Sequence, residues 1–146
     1  MKKLVLFLSI ISLSAMTVQA QRYTKPLQSD NTVHALGLDT ASNAVSVSQV
    51  LQITGWQDMV TIQSGVTKLT GTIGATASVK LYGSVDGVKY DYATTASDTL
   101  AVGDVSGVQV KTWYIAPSKF QYYKAIYKPA GTQTSTITST ALVGKN

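Results

Sequence analysis

Short runs of alternating apolar and polar residues, each closed by a turn signal, constrain the fold of this chain more than any other feature. Residues 78–93 (SVKLYGSVDGVKYDYA) are the clearest case. Val79 and Leu81 alternate with Lys80 and Tyr82, the two-residue period of a half-buried strand. This pattern predicts the first strand of a hairpin.

The turn and the return strand of this hairpin follow directly. Asp86 and Gly87 are residue types that tolerate the positive φ angles of a tight hairpin turn. Tyr90 and Tyr92 then resume the alternation on the return strand. We therefore expect a strand, a turn and a strand within residues 78–93.

The same pattern recurs along the chain and predicts the fold class. Turn signals separate eight or nine segments of strand type, and the chain has no helical stripe after its first twenty residues. With the two strands of the hairpin, residues 44–53, 56–63, 68–73, 108–115, 121–128 and 134–143 make eight; residues 33–38 are a candidate short strand, and residues 99–102 are a short apolar piece. We expect an all-β chain that forms a single β-sandwich of about eight antiparallel strands. Immunoglobulin-like and jelly-roll topologies both remain open.

Two local irregularities are expected within this series. Ser64 and Gly65 interrupt the pattern and predict a turn between two strands. In residues 108–115 the alternation breaks, because Lys111 shares a parity with Trp113 and Ile115. A β-bulge or bend near Thr112 would explain this break.

The chain divides into three parts. Residues 1–20 have the basic, apolar and small-residue regions of a signal peptide, which predicts an N-terminal leader helix and export. Residues 21–32 are polar, contain Pro26, and are interpreted as an extended arm or linker, either docked on a neighbouring subunit or disordered. Residues 33–146 form the β-sandwich domain. We expect an extracellular, cell-surface or virion-surface location, without membrane insertion after removal of the leader.

The charge of the chain argues against nucleic-acid binding. Without Lys2 and Lys3, ten of the 12 basic residues remain against 7 acidic ones, a net charge of +3. Arg22 is the single arginine, and the lysines are scattered rather than clustered on one element. The chain has no cysteine, so an exported domain would depend on its core and strand pairing rather than on disulfides.

Catalytic and metal-binding residues are scarce. His34 is the only histidine, no thiol exists, and no serine lies in a nucleophile elbow, so we expect no enzyme activity and no cofactor. Most aspartates stand at turn positions, where they typically form Asx-turns. A calcium site formed by Asp86, Asp98 and Asp104 at one end of the sandwich is the one metal site that the sequence suggests.

Aromatic residues crowd the second half of the chain and suggest an interaction surface. Consecutive strand residues point to opposite faces, so Tyr122 and Tyr123 diverge, as do Trp113 and Tyr114. Some of these rings must therefore lie outside the core, where aromatic residues bind sugars or other proteins. The candidate surface consists of Trp113, Tyr122, Tyr82 and Tyr92.

Three segments together resemble a known class of module. They are VKLYGSVDGVKY at residues 79–90, YYKAIYK at residues 122–128 and GTQTSTITSTAL at residues 131–142. Their order resembles small β-sandwich modules of tailed-phage virion proteins, such as head-decoration and fibre domains, and of bacterial surface proteins. Lys124 stands where those modules commonly have arginine, and the leader, which resembles those of Bacteroidetes-type bacteria, is unusual for a virion protein. The resemblance implies a structural or adhesive module without catalytic residues.

Two functional hypotheses follow from these observations. The first is a non-enzymatic, exported structural protein that forms a homo-oligomer or a larger surface, virion or filament-type assembly. The alternative is a carbohydrate-binding or adhesive module that uses exposed tyrosine and tryptophan side chains to bind a glycan.

Overall fold

The computed structural model of the protein describes residues 22–26, 28–29, 38–42, 45–53 and 57–144. Within these residues the chain forms eleven strands in two antiparallel sheets. The strands are β1 (Arg22–Pro26), β2 (Gln28–Ser29), β3 (Leu38–Ser42), β4 (Val47–Gln52), β5 (Met59–Ile73), β6 (Ser78–Ser84), β7 (Asp91–Tyr92), β8 (Thr99–Ala101), β9 (Val108–Ile115), β10 (Tyr122–Lys128) and β11 (Gly131–Gly144).

Sheet A is organised around β11. On one side β11 pairs with β5 along its whole length, and β9 pairs with the far side of β5. On the other side β11 pairs first with β3, through residues 134–138, and then with β1, through residues 140–144. β1 and β3 therefore occupy one edge of sheet A in succession, and β9 forms the opposite edge.

Sheet B is organised around β10, which lies between β4 and β6. β2 extends the sheet beyond β4, and β7 and β8 pair with successive parts of the far side of β6. Tyr82 pairs with Tyr92 in this arrangement, so the hairpin expected within residues 78–93 is confirmed.

The core lies between the two sheets and follows the alternation in the sequence. In β10, Tyr123, Ala125 and Tyr127 are buried, whereas the residues between them are half-buried on the outer face. In β11 the inward set includes Ile137, Ala141 and Val143, as the sequence predicts. The all-β sandwich fold class is therefore confirmed, because side chains of alternate parity from both sheets form one core.

The expected turn at Ser64 and Gly65 is wrong, since β5 runs through both residues. The Ser64 hydroxyl is buried and lies 2.7 Å from the hydroxyl of Ser139 on β11, so this polar group is satisfied inside the sandwich. A β-carbon at Gly65 would lie 3.8 Å from methyl groups of Val108 and Val110, so Gly65 provides room for β9 side chains. Small residues here allow close packing rather than a change of chain direction.

The expected bulge near Thr112 is also wrong, because the pairing of β9 with β5 has no register shift. The irregularity lies instead between β5 and β11, where Thr134 pairs with Thr70 but Ser135 pairs with Lys68. Leu69 is thus the extra residue of a bulge, which turns its side chain outward to 54% exposure. In a regular strand the spacing of Leu69 and Ile73 would place both on one face. The bulge separates them, so that Ile73 is buried and Leu69 is exposed.

The polar segment interpreted as an arm contributes strands to both sheets. β1 pairs with β11 of sheet A, and β2 pairs with β4 of sheet B. The leader, His34 and the remainder of residues 30–37 lie outside the described residues. Among the residues described, no helix is long and apolar enough to cross a membrane.

Candidate interaction surfaces

The first candidate surface is the free edge of sheet A, here named the β9 edge. It consists of the outward side chains of Val108, Val110, Thr112 and Tyr114 together with the β9 backbone that faces away from β5. Val108, Val110 and Tyr114 are 62%, 47% and 63% exposed. Such exposure of three large apolar or aromatic side chains along one strand makes this edge a candidate for contact with another chain.

The backbone of β9 adds hydrogen-bonding capacity to this edge. Within the described part of the chain β9 pairs only with β5, so its outward N–H and C=O groups have no backbone partner there. The strand has eight residues and spans about 26 Å at a rise of about 3.3 Å per residue. An open strand edge of this length is a template for strand addition.

The one charged side chain of β9, Lys111, lies on the inner-face parity of the strand and is paired with an aspartate. Lys111 Nζ lies 2.6 Å from a carboxylate oxygen of Asp98, and this bond holds the pKa of Asp98 below its usual range. The Gln109 side chain accepts a hydrogen bond from the Gly103 N–H and donates one to the Gly103 carbonyl, both at 2.8 Å. An inward-pointing lysine on an edge strand discourages strand pairing, but here the ion pair with Asp98 neutralises its charge.

Trp113 does not belong to either surface, which corrects its placement in the sequence analysis. Its side chain is 1% exposed, and its indole N–H donates a hydrogen bond of 3.1 Å to the Asp98 carbonyl. Trp113 points into the core because it shares a parity with Ile115, whereas Tyr114 points outward. Asp98 thus fixes both Lys111 and Trp113 on the inner side of β9.

The second candidate surface is the outer face of sheet B, here named the tyrosine–lysine face. It consists of Lys80, Tyr82, Tyr92, Tyr122, Lys124, Ile126 and Lys128. The rings of Tyr82 and Tyr92 stack with centroids 5.0 Å apart and planes inclined by 25°. Partial burial, together with the hydrogen bond between the two residues, raises the pKa of Tyr82. This pair forms an aromatic platform at the side of the face.

Lysine side chains lie over the aromatic rings of this face. Lys80 Nζ lies 5.4 Å from the centroid of Tyr92, and Lys124 Nζ lies 4.6 Å from the centroid of Tyr90. Both distances are within the range of cation–π attraction. The ammonium groups are thereby held beside the rings at the surface.

Tyr122 lies on the same face beneath the loop that joins β6 to β7. Gln52 donates a hydrogen bond of 3.0 Å to the Tyr122 hydroxyl, and a β-carbon at Gly87 would lie 3.2 Å from the ring. Gly87 has a φ of 75°, in the left-handed region that favours glycine. Because Gly87 has no side chain, the loop can pass close to the ring of Tyr122.

Asp86 organises this loop through its own carboxylate. One carboxylate oxygen accepts hydrogen bonds from the N–H groups of Lys89 and Val88 at 2.9 and 2.8 Å, and from the Ser84 hydroxyl at 2.9 Å. The two backbone hydrogen bonds are the main cause of the lowered pKa of Asp86. Asp86 and Gly87 therefore shape the turn, as the hairpin pattern predicts.

A small depression lies on the tyrosine–lysine face and is here named the lysine pocket. It has a volume of about 210 Å³ and is lined by Ser46, Ser78, Lys80, Tyr82, Ile126 and Lys128. Lys80 is the cross-strand neighbour of Ile126, and Ser78 is that of Lys128. Sheet register therefore makes Lys80 and Lys128 diagonal neighbours on one face, next to Ser78 and Tyr82.

The three aspartates considered for calcium serve separate contacts. Asp104 accepts hydrogen bonds from the Ile73 N–H at 3.0 Å and from Lys68 at 2.7 Å, and both lower its pKa. Asp98 binds Lys111, and Asp86 binds its own loop. In the described part of the chain no three acidic, histidine or cysteine side chains come together as a metal site would require.

The exposure of Val108 and Val110 was not expected from the sequence. The signal was present, because residues 108–115 alternate without interruption once Trp113 and Ile115 are assigned to the core. Lys111 obscured this signal, because it has the same parity as the core residues Trp113 and Ile115 and so suggested a break in the alternation. The lysine pocket was also missed, because its residues come from three segments separated by more than 30 positions and no local motif links them.

Comparisons with known proteins give a fold and no family. No family model matches the sequence, and no curated protein matches it. Among solved structures, the chain is similar to infectious bursal disease virus VP2 in a subviral particle, with a TM-score of 0.54 and 11% identity. This match covers 89% of the chain and 34% of VP2, so the chain spans about a third of that protein.

Carbohydrate-binding modules are also among the similar structures. One, described as "CBM4 structure and function", has a TM-score of 0.48 and 9% identity, with 84% of this chain and 78% of that chain covered. Another, TmCBM61 in complex with β-1,4-galactotriose, has a TM-score of 0.47 and 7% identity, with coverages of 89% and 91%. The likeness concerns the β-sandwich fold.

Proposed function

We propose that the protein is a non-enzymatic, exported structural module that assembles with further copies of itself through the β9 edge. The observation that carries this proposal is an open eight-residue strand edge with exposed valines and no outward charged side chain. The similarity to a capsid chain that forms a subviral particle is compatible with an assembling sandwich.

A second copy is the partner that best fits this edge. The outer-face residues of β9 are valine, threonine and tyrosine, so two antiparallel copies of the strand would meet without like charges on that face, and Lys111 on the other face is paired with Asp98. Such pairing would satisfy the outward backbone groups and cover Val108 and Val110. A symmetric contact of this kind joins the same surface of both subunits. The two copies of sheet A would then form one continuous sheet.

Replacing Val110 with lysine is expected to convert the assembled protein to a monomer. The new ammonium group would stand on the pairing edge, and two like charges would face each other across the contact. Molecular mass measured by light scattering over a range of protein concentrations tests this prediction.

Val88→Lys is the matched control, because Val88 is also an exposed valine, 78% against 47% for Val110, but lies in the loop between β6 and β7. This variant should keep the mass of the unmodified protein. Thr112→Lys places the same charge at a second position of the edge and should also give a monomer. A monomeric unmodified protein, or an unchanged mass of folded Val110→Lys and Thr112→Lys proteins, would contradict the proposal.

The tyrosine–lysine face supports a second function, the binding of a glycan. The stacked rings of Tyr82 and Tyr92 offer an aromatic platform at the surface, and sugar rings stack on such platforms. Calorimetric titration with soluble oligosaccharides tests this function. A saccharide that binds the unmodified protein should bind the Tyr92→Ala variant at least tenfold more weakly, whereas Tyr114→Ala, on the other sheet, should leave its affinity unchanged.

A further inference from the structure

We propose that the lysine pocket binds an acidic saccharide, with a sugar carboxylate between Lys80 and Lys128. This inference rests on the second proposed function, glycan binding, and adds the chemical class of the ligand. Three properties of the pocket lead to it, namely its charge, its lining and its size.

The charge of the pocket is positive and uncompensated within its lining. Lys80 and Lys128 both line it, and no acidic side chain does. In the described part of the chain neither ammonium group forms an ion pair, whereas Lys68 and Lys111 do. An anionic ligand in the pocket would pair with these two lysines and form charge-assisted hydrogen bonds.

The lining of the pocket fits a sugar better than a simple anion. Ile126 and the ring of Tyr82 provide apolar contacts, and the hydroxyls of Ser46 and Ser78 can donate and accept hydrogen bonds. A sugar ring has an apolar face and a rim of hydroxyls, so it can use both kinds of contact. An inorganic anion would leave Ile126 and Tyr82 without a role.

The size and position of the pocket indicate recognition of one unit within a chain. Its volume of about 210 Å³ is smaller than that of sites for drug-sized ligands, which are about 300–1,000 Å³. Tyr82 also stacks on Tyr92, so the platform continues from the pocket along the face. The acidic unit would occupy the pocket, and a neighbouring sugar would lie on the tyrosine pair.

The experiment is a calorimetric titration with paired acidic and neutral saccharides. The probes are oligogalacturonate and its methyl ester, and sialyllactose and lactose, with poly-glutamate as a polyanion that contains no sugar. We expect an acidic saccharide to bind at least tenfold more tightly than its neutral partner, and more weakly as the salt concentration rises. Poly-glutamate should not compete for the site.

Variants assign the binding to the pocket. Lys80→Met and Lys128→Met remove the charges but keep most of each side chain, and each should weaken binding of the acidic saccharide about tenfold. Lys119→Met is the matched control, since Lys119 lies outside the pocket, and it should have no effect. A second control is circular dichroism of all three variants, which should match that of the unmodified protein.

The outcomes separate the two proposals. Equal binding of acidic and neutral saccharides would overturn the acidic specificity and leave glycan binding intact. Equal binding of poly-glutamate, or loss of affinity in Lys119→Met to the same extent, would overturn the pocket as a saccharide site. Failure of every saccharide to bind would overturn glycan binding together with this inference.

Discussion

Replacing Trp113 with alanine is expected to lower the free energy of unfolding by about 3–5 kcal/mol. The indole is 1% exposed and packs between the sheets, so its removal leaves a large cavity. The Asp98 carbonyl would also lose the hydrogen bond that the indole N–H donates. Urea unfolding followed by circular dichroism measures this change without depending on tryptophan fluorescence.

Tyr114→Ala is the matched control for Trp113→Ala. It removes an aromatic side chain of similar size from the next residue of the same strand, but one that is 63% exposed. We expect a change below about 1 kcal/mol. Similar losses in the two variants would contradict the burial of Trp113 and the exposure of Tyr114.

Replacing Gly71 with alanine is expected to destabilise the protein by more than about 2 kcal/mol. Gly71 has a φ of 74°, a conformation that costs other residues about 1–2 kcal/mol. A β-carbon at this position would also overlap the carbonyl oxygen of Thr132 on β11, so the two central strands of sheet A would have to separate. Thermal and urea unfolding both measure this effect.

Gly65→Ala is the control for this variant, because both glycines lie in β5. The nearest atoms to a β-carbon at Gly65 are 3.8 Å away, at ordinary contact distance. We expect Gly65→Ala to change stability by less than about 1 kcal/mol and in either direction. A loss as large as that of Gly71→Ala would contradict the assignment of strain to the bulged end of β5.

Alternation of apolar and polar residues predicts the fold wherever one face of a strand packs on the core. Tyr123 and Tyr127 of β10, and Ile137 and Val143 of β11, are buried as the two-residue period requires. The period fails at Leu69 because a bulge depends on the partner strand, and the partner residues Thr134 and Ser135 lie more than 60 positions away. Local sequence carries no information about that register.

Turn prediction fails for a related reason. Ser64 and Gly65 have the composition of a turn, but the hydroxyl of Ser64 finds its partner on Ser139, 75 positions later. The strands within residues 22–29 were likewise not expected, because these residues are polar and show no apolar–polar alternation. They nevertheless pair through their backbone with β11 and β4. In both cases tertiary pairing overrides local preference.

The candidate surfaces were predictable in part. The sequence places Tyr82, Tyr92 and Tyr122 outside the core, and the structure brings them to one face of sheet B. The parity rule requires that Trp113 and Tyr114 diverge, but it does not determine which of the two is buried. The structure buries Trp113, which packs in the core and donates its indole N–H to the Asp98 carbonyl, and this packing exists only in the folded chain.

The central position of β11 has a consequence for how the protein is made. β11 follows every other strand in the sequence, yet β1, β3 and β5 all pair with it. A nascent chain on the ribosome therefore exposes the unpaired strands of sheet A until the last fourteen-residue strand has emerged. Because Arg22 must meet Gly144, closing this sheet joins distant parts of the chain, and such contacts make folding slow. Sheet A therefore closes only when β11 is available to pair with β1, β3 and β5.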